Sequence, residues 1–169
     1  MAAPVRADEA LLGAVARGEA FAIMRHALAP GTGDPDSFDP DDCATQRNLS
    51  EQGRRQAREI GDAFRRAGVS RAAVYSSNWC RCRETARLLG LGAVTILPPL
   101  NSFFEAWHRR ENQTEAMRDW LASYKGPYPV VLVSHQVNIS ALTGQGTRSG
   151  ETVVFQRGAD GGIRVTGSF

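Results

Sequence analysis

Residues 20–26 read Ala-Phe-Ala-Ile-Met-Arg-His, a short apolar run that ends in two side chains able to carry charge. Residues 130–135 repeat this arrangement as Val-Val-Leu-Val-Ser-His. Short apolar runs of this length are typical of buried strands. In an open α/β sheet, ligands bind at the carboxyl ends of the strands. The two stretches therefore predict that Arg25, His26 and His135 meet at one edge of a sheet.

Outward from these two runs, short apolar stretches alternate with amphipathic ones, which indicates strands and helices interleaved around one sheet. The predicted strands cover residues 20–24, 72–75, 93–97, 130–133, 152–155 and 163–166. The predicted helices cover residues 51–67, 80–89, 111–124 and 138–142, and Ser50 is placed to cap the first of them. We therefore predict a three-layer α/β/α sandwich with a mostly parallel central sheet.

The composition is that of one folded domain, with 42% hydrophobic and 22% charged residues in a chain of 169. We treat residues 1–169 as a single domain in which residues 1–19 form an N-terminal segment. The formal net charge is +2, and acidic and basic residues are interleaved, so the basic stripe of a nucleic-acid-binding protein is missing from the sequence. Its apolar runs are shorter than a membrane-spanning helix requires. We therefore expect neither a nucleic-acid partner nor a membrane span.

The terminus and the cysteines bear on the cellular compartment. Residues 5–7 read Val-Arg-Ala, the small-x-small pattern of a signal-peptide cleavage site, which favours a periplasmic protein whose leader has been removed. An alanine-rich terminus of a cytoplasmic protein is the alternative. In an oxidising compartment Cys43 can pair with Cys80 or with Cys82, whereas in a reducing one all three stay thiols. The sequence leaves the pairing open.

Four stretches in the chain form an ordered set of motifs. Residues 23–27 read Ile-Met-Arg-His-Ala, residues 48–54 read Asn-Leu-Ser-Glu-Gln-Gly-Arg, residues 75–86 read Tyr-Ser-Ser-Asn-Trp-Cys-Arg-Cys-Arg-Glu-Thr-Ala, and residues 131–135 read Val-Leu-Val-Ser-His. In this order they resemble the histidine phosphatase superfamily, whose fold is that of phosphoglycerate mutase. The resemblance spans about residues 20–156. Alanine stands at position 27, where the family usually has glycine.

The resemblance implies a histidine acid-type phosphatase that hydrolyses phosphomonoesters of small molecules without a metal ion or another cofactor. It implies that His26 is the nucleophile, that it forms a phosphohistidine, and that water then hydrolyses this intermediate. It also maps the phosphate-binding residues onto Arg25, Arg81 and His135, and Gln136 is placed to add a polar contact to the substrate. Arg83 competes with Arg81 for the binding role, and we expect it to face solvent or an acidic side chain instead.

The chemistry of phosphoryl transfer agrees with these assignments. The protein must mainly hold the charge of the phosphoryl oxygens, which guanidinium groups do well. We expect the neighbouring cations to keep His26 unprotonated, while His135 can carry a proton that offsets phosphate charge. The leaving oxygen also needs a general acid, which the family usually supplies shortly after the third strand. Ser102 stands at that position here, and Glu105 is the first carboxylate after it, so we assign Glu105 as the acid.

Two segments of the sequence fit neither a strand nor a helix. Residues 28–42 are rich in proline, glycine and aspartate and predict a long functional loop. The aromatic residues within 98–110 belong either to the core or to a pocket wall. Three other functions stay open: a phosphate-binding module with little turnover, a phosphomutase, and a zinc hydrolase that uses His26, His108 and His135. The oligomeric state and the identity of the substrate are not indicated by the sequence.

Overall fold

The computed structural model describes residues 5–160 and 162–169, with side chains from residue 9 onward. The helices in this part of the chain are α1 (Val5–Ala16), α2 (Glu51–Arg66), α3 (Cys80–Leu88), α4 (Arg110–Ser123) and α5 (Gln136–Thr143). The strands are β1 (Phe21–Arg25), β2 (Ala73–Ser76), β3 (Val94–Ile96), β4 (Val130–Ser134), β5 (Thr152–Arg157) and β6 (Ile163–Ser168). All six predicted strands and all four predicted helices are therefore present, with small differences at their ends.

The strands form one sheet in the order β3-β2-β4-β1-β5-β6. Strands β3, β2, β4 and β1 run parallel to one another, whereas β5 is antiparallel to both β1 and β6. Arg25 at the end of β1 is in register with Ser134 at the end of β4. The residues that follow these two, His26 and His135, consequently leave the sheet at the same edge.

Alternation of side chains along the strands divides the core into two halves. Ala22 and Met24 face a buried cluster that contains side chains of α1, α2 and α3. Phe21 and Ile23 point to the opposite face, where they join a cluster with side chains of α4 and α5. Helices thus cover both faces of the sheet, and the predicted three-layer sandwich with a mostly parallel sheet is confirmed.

Helix α1 was not predicted, since residues 1–19 were treated as a plain N-terminal segment. Leu12 and Val15 are at most 1% exposed and belong to the same buried cluster as α2 and α3. The pattern at residues 5–7 that predicted a cleavage site falls in the first turn of α1, and the side chains there lie outside the described residues. Across the described part of the chain, every helix is too short or too polar to cross a membrane.

The first turn of α2 holds the loop that follows His26. Ser50 caps this helix as predicted, because its hydroxyl accepts a hydrogen bond from the Gly53 amide at 3.1 Å. The Ser50 amide in turn donates to the carbonyl oxygen of Leu28 at 3.1 Å. A Cβ atom on Gly53 would lie only 2.1 Å from that oxygen, so glycine is required for the loop to pack here.

Candidate active site

A pocket of about 460 Å³ opens at the sheet edge where β1 and β4 end. The strand ends contribute Arg25, His26 and His135, and the first turn of α3 contributes Arg81. The long loop between β1 and α2 and the segment before α4 form the outer wall, with Asp34, Phe38, Arg47, Phe104, Glu105 and Trp107 among its lining residues. Gln136 lines the pocket as well, so this one pocket contains all the residues that were predicted for the site.

Two contacts fix the protonation of His26, which is only 2% exposed. Its Nδ1 lies 2.8 Å from the carbonyl oxygen of Ala27, and a carbonyl only accepts, so Nδ1 carries the proton. The Nε–H of Arg81 donates to Nε2 at 3.2 Å, which requires a lone pair on Nε2. Burial, with a smaller contribution from the nearby arginines, lowers the pKa of His26 to about 3. The ring is therefore neutral, as expected, but burial is a larger cause than the neighbouring cations.

His135 lies beside His26, with 5.6 Å between the ring centroids, and is 4% exposed. Its Nε2 is 2.8 Å from the Ser77 hydroxyl oxygen and 3.5 Å from the Cys82 sulfur, and these contacts orient the ring. Burial and then the proximity of His26 lower the pKa of His135 well below its usual value. This ring is also neutral without substrate, so it can carry the expected proton only when a bound anion compensates the site's positive charge.

The side chains of Arg25 and Arg81 line the same pocket as the two histidines. Arg25 donates through Nη1 to the side-chain oxygen of Gln136 at 3.1 Å and to the Thr147 carbonyl at 3.0 Å. These contacts place Gln136 against the arginine rather than free in the pocket. Arg81 is 3% exposed, and its side chain lies between His26 and the long loop.

Arg47 is a third arginine of the site, which the sequence analysis missed. It lies just before α2, and its Nε donates to the Gly33 carbonyl at 2.7 Å while its Nη1 donates to the Ala29 carbonyl. Burial, followed by repulsion from Arg81, lowers the pKa of Arg47. Arg47 directly precedes the motif at residues 48–54, which opens a helix near the sheet edge. This position could have indicated from the sequence that Arg47 belongs to the site.

Asp34 is the second residue that the sequence analysis missed, and it is the acidic partner of Arg81. Its Oδ1 and Oδ2 accept from Nη1 and Nη2 of Arg81 at 2.7 and 3.2 Å, and its side chain is 12% exposed. Oδ1 also accepts from the Arg47 amide at 3.2 Å, and Oδ2 from the Trp79 indole at 3.1 Å. Burial raises the pKa of Asp34, but hydrogen bonding and attraction by Arg81 outweigh it, so the net shift is downward. Without substrate this side chain is a carboxylate anion.

A sequence profile of the histidine phosphatase superfamily (branch 1) matches residues 23–123, more than half of the chain. The chain belongs to the histidine phosphatase superfamily. The match contains His26, Asp34, Arg47 and Arg81 and ends before His135. The membership inferred from the four motifs is thus confirmed.

Solved structures show that this histidine phosphatase shares its fold with several phosphatases. The protein histidine phosphatase SixA, complexed with tungstate, superposes with a TM-score of 0.67 at 16% identity, covering 89% of this chain and 96% of that one. A mycobacterial glucosyl-3-phosphoglycerate phosphatase in complex with VO3 has a TM-score of 0.63 at 18% identity, covering 87% and 96%. Phosphoserine phosphatase from Entamoeba histolytica, in complex with 3-phosphoglyceric acid, has a TM-score of 0.62 at 14% identity, and the match covers 88% of this chain and 95% of that one. No curated protein matches the chain in sequence.

The mouth of the histidine phosphatase pocket is aromatic. Phe104 and Trp107 are 42% and 56% exposed and lie at the rim, whereas their neighbour Phe103 is buried, so this segment supplies both core and pocket wall. Glu105 is exposed on the same wall. Within the described residues Glu105 has neither a hydrogen bond nor an ion pair, in contrast to Asp34.

A disulfide joins the long loop to α3. Cys43, in the long loop, pairs with Cys80 at the start of α3, with 5.7 Å between the Cα atoms. Cys82 is a buried free thiol whose pKa is raised to about 12, mainly by burial. Arg83 lies outside the pocket as expected, but Nη2 contacts the Cys80 sulfur at 3.0 Å rather than an acidic side chain. Of the two pairings left open by the sequence, the structure has Cys43–Cys80.

The zinc alternative finds no support in the geometry. Nowhere in residues 5–160 and 162–169 do three or more His, Cys, Asp or Glu side chains form a group suited to a metal ion. His108, the third histidine of that alternative, is exposed and is not part of the pocket lining. The two pocket histidines are surrounded by arginines, a setting that suits an anion.

Proposed function

We propose that this chain is a phosphomonoester hydrolase of the histidine acid phosphatase type, which works through a phosphohistidine and without a metal ion, and that residues 1–169 form its single domain. The observation that carries the proposal is the state of His26. Its Nε2 presents a lone pair in an arginine-lined pocket, held there by contacts on both ring nitrogens. A neutral imidazole among fixed cations is suited to attack a phosphorus atom.

The first chemical step follows from this arrangement. Arg25, Arg47 and Arg81 bind the phosphoryl oxygens and hold the charge that shifts onto them in the transition state. Nε2 of His26 gives up its hydrogen bond from Arg81 and attacks phosphorus with the freed lone pair, so that an N–P bond forms while the bond to the leaving oxygen breaks. The Ala27 carbonyl stabilises the positive charge that develops on the ring, because it accepts the Nδ1 hydrogen bond throughout. In the second step water displaces Nε2 and releases inorganic phosphate.

His135 and Gln136 complete the binding site in this proposal. His135 donates a hydrogen bond to the phosphoryl group and gains basicity when the dianion is bound, since the anion offsets the repulsion from the arginines. Gln136 supports Arg25 and contacts the substrate from the pocket rim. That Glu105 supplies the proton for the leaving group stays a prediction.

The substrate class that we propose is a small phosphorylated molecule. A pocket of about 460 Å³ is in the range that encloses ligands of this size. The structural relatives support a site for oxyanions, because two of them are described with tungstate and with VO3 and a third with 3-phosphoglyceric acid. The exposed aromatic side chains at the rim would contact the part of the substrate beyond its phosphate.

Hydrolysis of an aryl phosphate in excess chelator tests the proposal. We expect wild type to release phosphate, His26→Ala to lose at least about 10³-fold in kcat, and His108→Ala to keep full activity as the control outside the pocket. Rapid quenching with a labelled substrate should trap a phosphoenzyme that is stable in base and labile in acid, and only in the protein that retains His26. Full activity of His26→Ala, or loss of wild-type activity in chelator, would contradict the proposal.

A further inference from the structure

Asp34 contacts the guanidinium of Arg81, one of the groups that the proposed function assigns to phosphate binding. Both of its carboxylate oxygens lie on the two terminal nitrogens of Arg81, and two further N–H groups, from the Arg47 amide and the Trp79 indole, also point at them. Bidentate guanidinium contacts plus N–H donors are what a phosphoryl group also requires. The Nε of the same Arg81 faces His26, so a single guanidinium links the carboxylate to the nucleophile.

The carboxylate and a substrate phosphate therefore compete for Arg81. The two anions repel each other, and Arg81 cannot give the same two N–H groups fully to both. Asp34 belongs to a loop that stands over the pocket, and its neighbours Gly33 and Pro35 are at least partly exposed. The Asp34 side chain lines the same pocket as His26, so a carboxyl group released from Arg81 stays next to the bound substrate.

We propose that Asp34 is the catalytic general acid and base of this site: the substrate phosphate displaces its carboxylate from Arg81, and Asp34 then protonates the leaving oxygen. This inference rests on the proposed function, because it assigns the proton donor of that same reaction. It differs from the sequence-based assignment, which gave the role to Glu105.

The charges around Asp34 explain why it is a carboxylate before substrate binds and an acid afterwards. The guanidinium of Arg81, followed by the Arg47 backbone amide and the Trp79 indole, favours the ionised form in the empty site. Once the phosphate takes over Arg81, Asp34 loses the strongest influence that lowers its pKa and faces a dianion instead. Glu105 adds negative charge, since its Oε1 lies 3.6 Å from the position of a Cβ on the adjacent Gly33. Each of these changes favours proton uptake by Asp34.

The proton balance closes over the two steps. Asp34 takes a proton from solvent or from a monoanionic substrate as the phosphate binds. When Nε2 of His26 attacks, the electron pair of the breaking P–O bond goes to the leaving oxygen, which receives the Asp34 proton and departs as an alcohol. The Asp34 carboxylate then accepts a proton from the water that attacks phosphorus, and the electron pair of the N–P bond returns to Nε2. Asp34 then releases that proton to solvent, inorganic phosphate leaves, and the re-formed carboxylate can return to Arg81.

The contacts favour Asp34 over Glu105 for this role. Two of the four hydrogen bonds to Asp34, from the Arg47 amide and the Trp79 indole, do not involve the guanidinium that the phosphate takes over, so they can still orient the carboxyl group. Glu105 is exposed and, in the part of the chain that the structure describes, has no partner that would orient it. A general acid must lie within hydrogen-bond reach of the leaving oxygen, and orientation improves its efficiency.

A leaving-group comparison tests the proposal. An aryl phosphate with an acidic phenol departs without a proton, whereas a simple alkyl phosphate departs only if its alkoxide is protonated. We expect Asp34→Asn to lower kcat/KM for the alkyl ester by about 10²-fold or more, and for the aryl ester by less than about 10-fold. Asp36→Asn removes the same charge from an exposed position of the same loop and should leave kcat/KM for both esters unchanged. The ratio of the two esters does not depend on the fraction of folded enzyme.

Binding of inorganic phosphate provides a second measurement. Because Asp34→Asn removes the competing anion from Arg81, we expect phosphate to bind about 10-fold more tightly to it than to wild type or to Asp36→Asn. An unchanged phosphate affinity would overturn the displacement step.

The kinetic outcomes separate the two proposals. Equal losses of kcat/KM on both esters in Asp34→Asn would show that Asp34 is only a structural counterion for Arg81 and would refute the acid role. A loss of kcat/KM on the alkyl ester alone in Glu105→Gln, but not in Asp34→Asn, would also refute it. Both of these outcomes leave the phosphatase function standing. If wild type hydrolyses neither ester, the phosphatase proposal fails, and the acid role of Asp34 fails with it.

Discussion

Removal of the Cys43–Cys80 disulfide is expected to destabilise the fold by about 4 kcal/mol. The two cysteines are 37 positions apart, and closing a loop of this length in the unfolded chain reduces its entropy by an amount that corresponds to about 4 kcal/mol at room temperature. This is a large share of the roughly 5–15 kcal/mol that stabilises a typical domain. For a chain of this size the melting temperature should fall by about 10 °C.

Urea unfolding followed by circular dichroism measures this effect. Wild type and the double variant Cys43→Ser/Cys80→Ser are compared with and without reductant, and reductant should lower the midpoint of wild type only. Thiol counting on unfolded, unreduced wild type should find one thiol, that of Cys82. The reasoning is refuted if the double variant and oxidised wild type share one midpoint, or if three thiols are found in protein from an oxidising compartment.

The remaining predictions concern the anion site, acid stability and loop packing. Arg47→Ala should weaken phosphate binding by about 10- to 100-fold, because a charged hydrogen-bond donor is lost, and titration calorimetry measures this; wild-type affinity in the variant would remove Arg47 from the site. The free energy of unfolding should fall as pH drops from about 6.5 towards 3, because the unfolded chain protonates His26 and His135 and the folded chain does not. Each ring contributes up to about 1.4 kcal/mol per pH unit. Urea midpoints that stay level from pH 7 to 4 would contradict this prediction. Gly53→Ala should destabilise the fold by about 1–3 kcal/mol or more, because the added Cβ atom meets loop backbone. Gly146→Ala is the control and should leave stability unchanged, because a Cβ atom there lies in open space. Equal melting temperatures of the two variants would refute the packing argument.

Much of the fold could be predicted because apolar runs and helix boundaries are local signals. The strands ending at Arg25 and Ser134 are four or five buried residues long, and Ser50 marks the start of α2 by its side chain alone. Helix α1 was not predicted because its sequence has four alanines and few large apolar residues. Among its described side chains, Leu12 and Val15 are the ones buried deeply enough to show which face packs. A helix of this kind is stabilised by its tertiary contacts more than by its own pattern.

The site could be predicted in part for a similar reason. His26, Arg81 and His135 follow strands directly or lie in the first turn of a helix, so the topology alone brings them together. Asp34 and Arg47 lie in a long loop whose path depends on the disulfide and on contacts with α2, and no local pattern encodes that path. The proximity of Asp34 to Arg81 therefore became visible only in three dimensions.

The positive side chains that line the pocket are all arginines, and the only lysine of the sequence, Lys125, is exposed elsewhere. Guanidinium groups stay protonated far into alkaline solution, whereas lysine amines do not. Acylating reagents that modify amines would consequently leave the pocket intact, while dicarbonyl reagents that attack guanidinium groups would block it. We therefore expect anion binding by this protein to withstand amine-directed reagents and to be lost on arginine-directed modification.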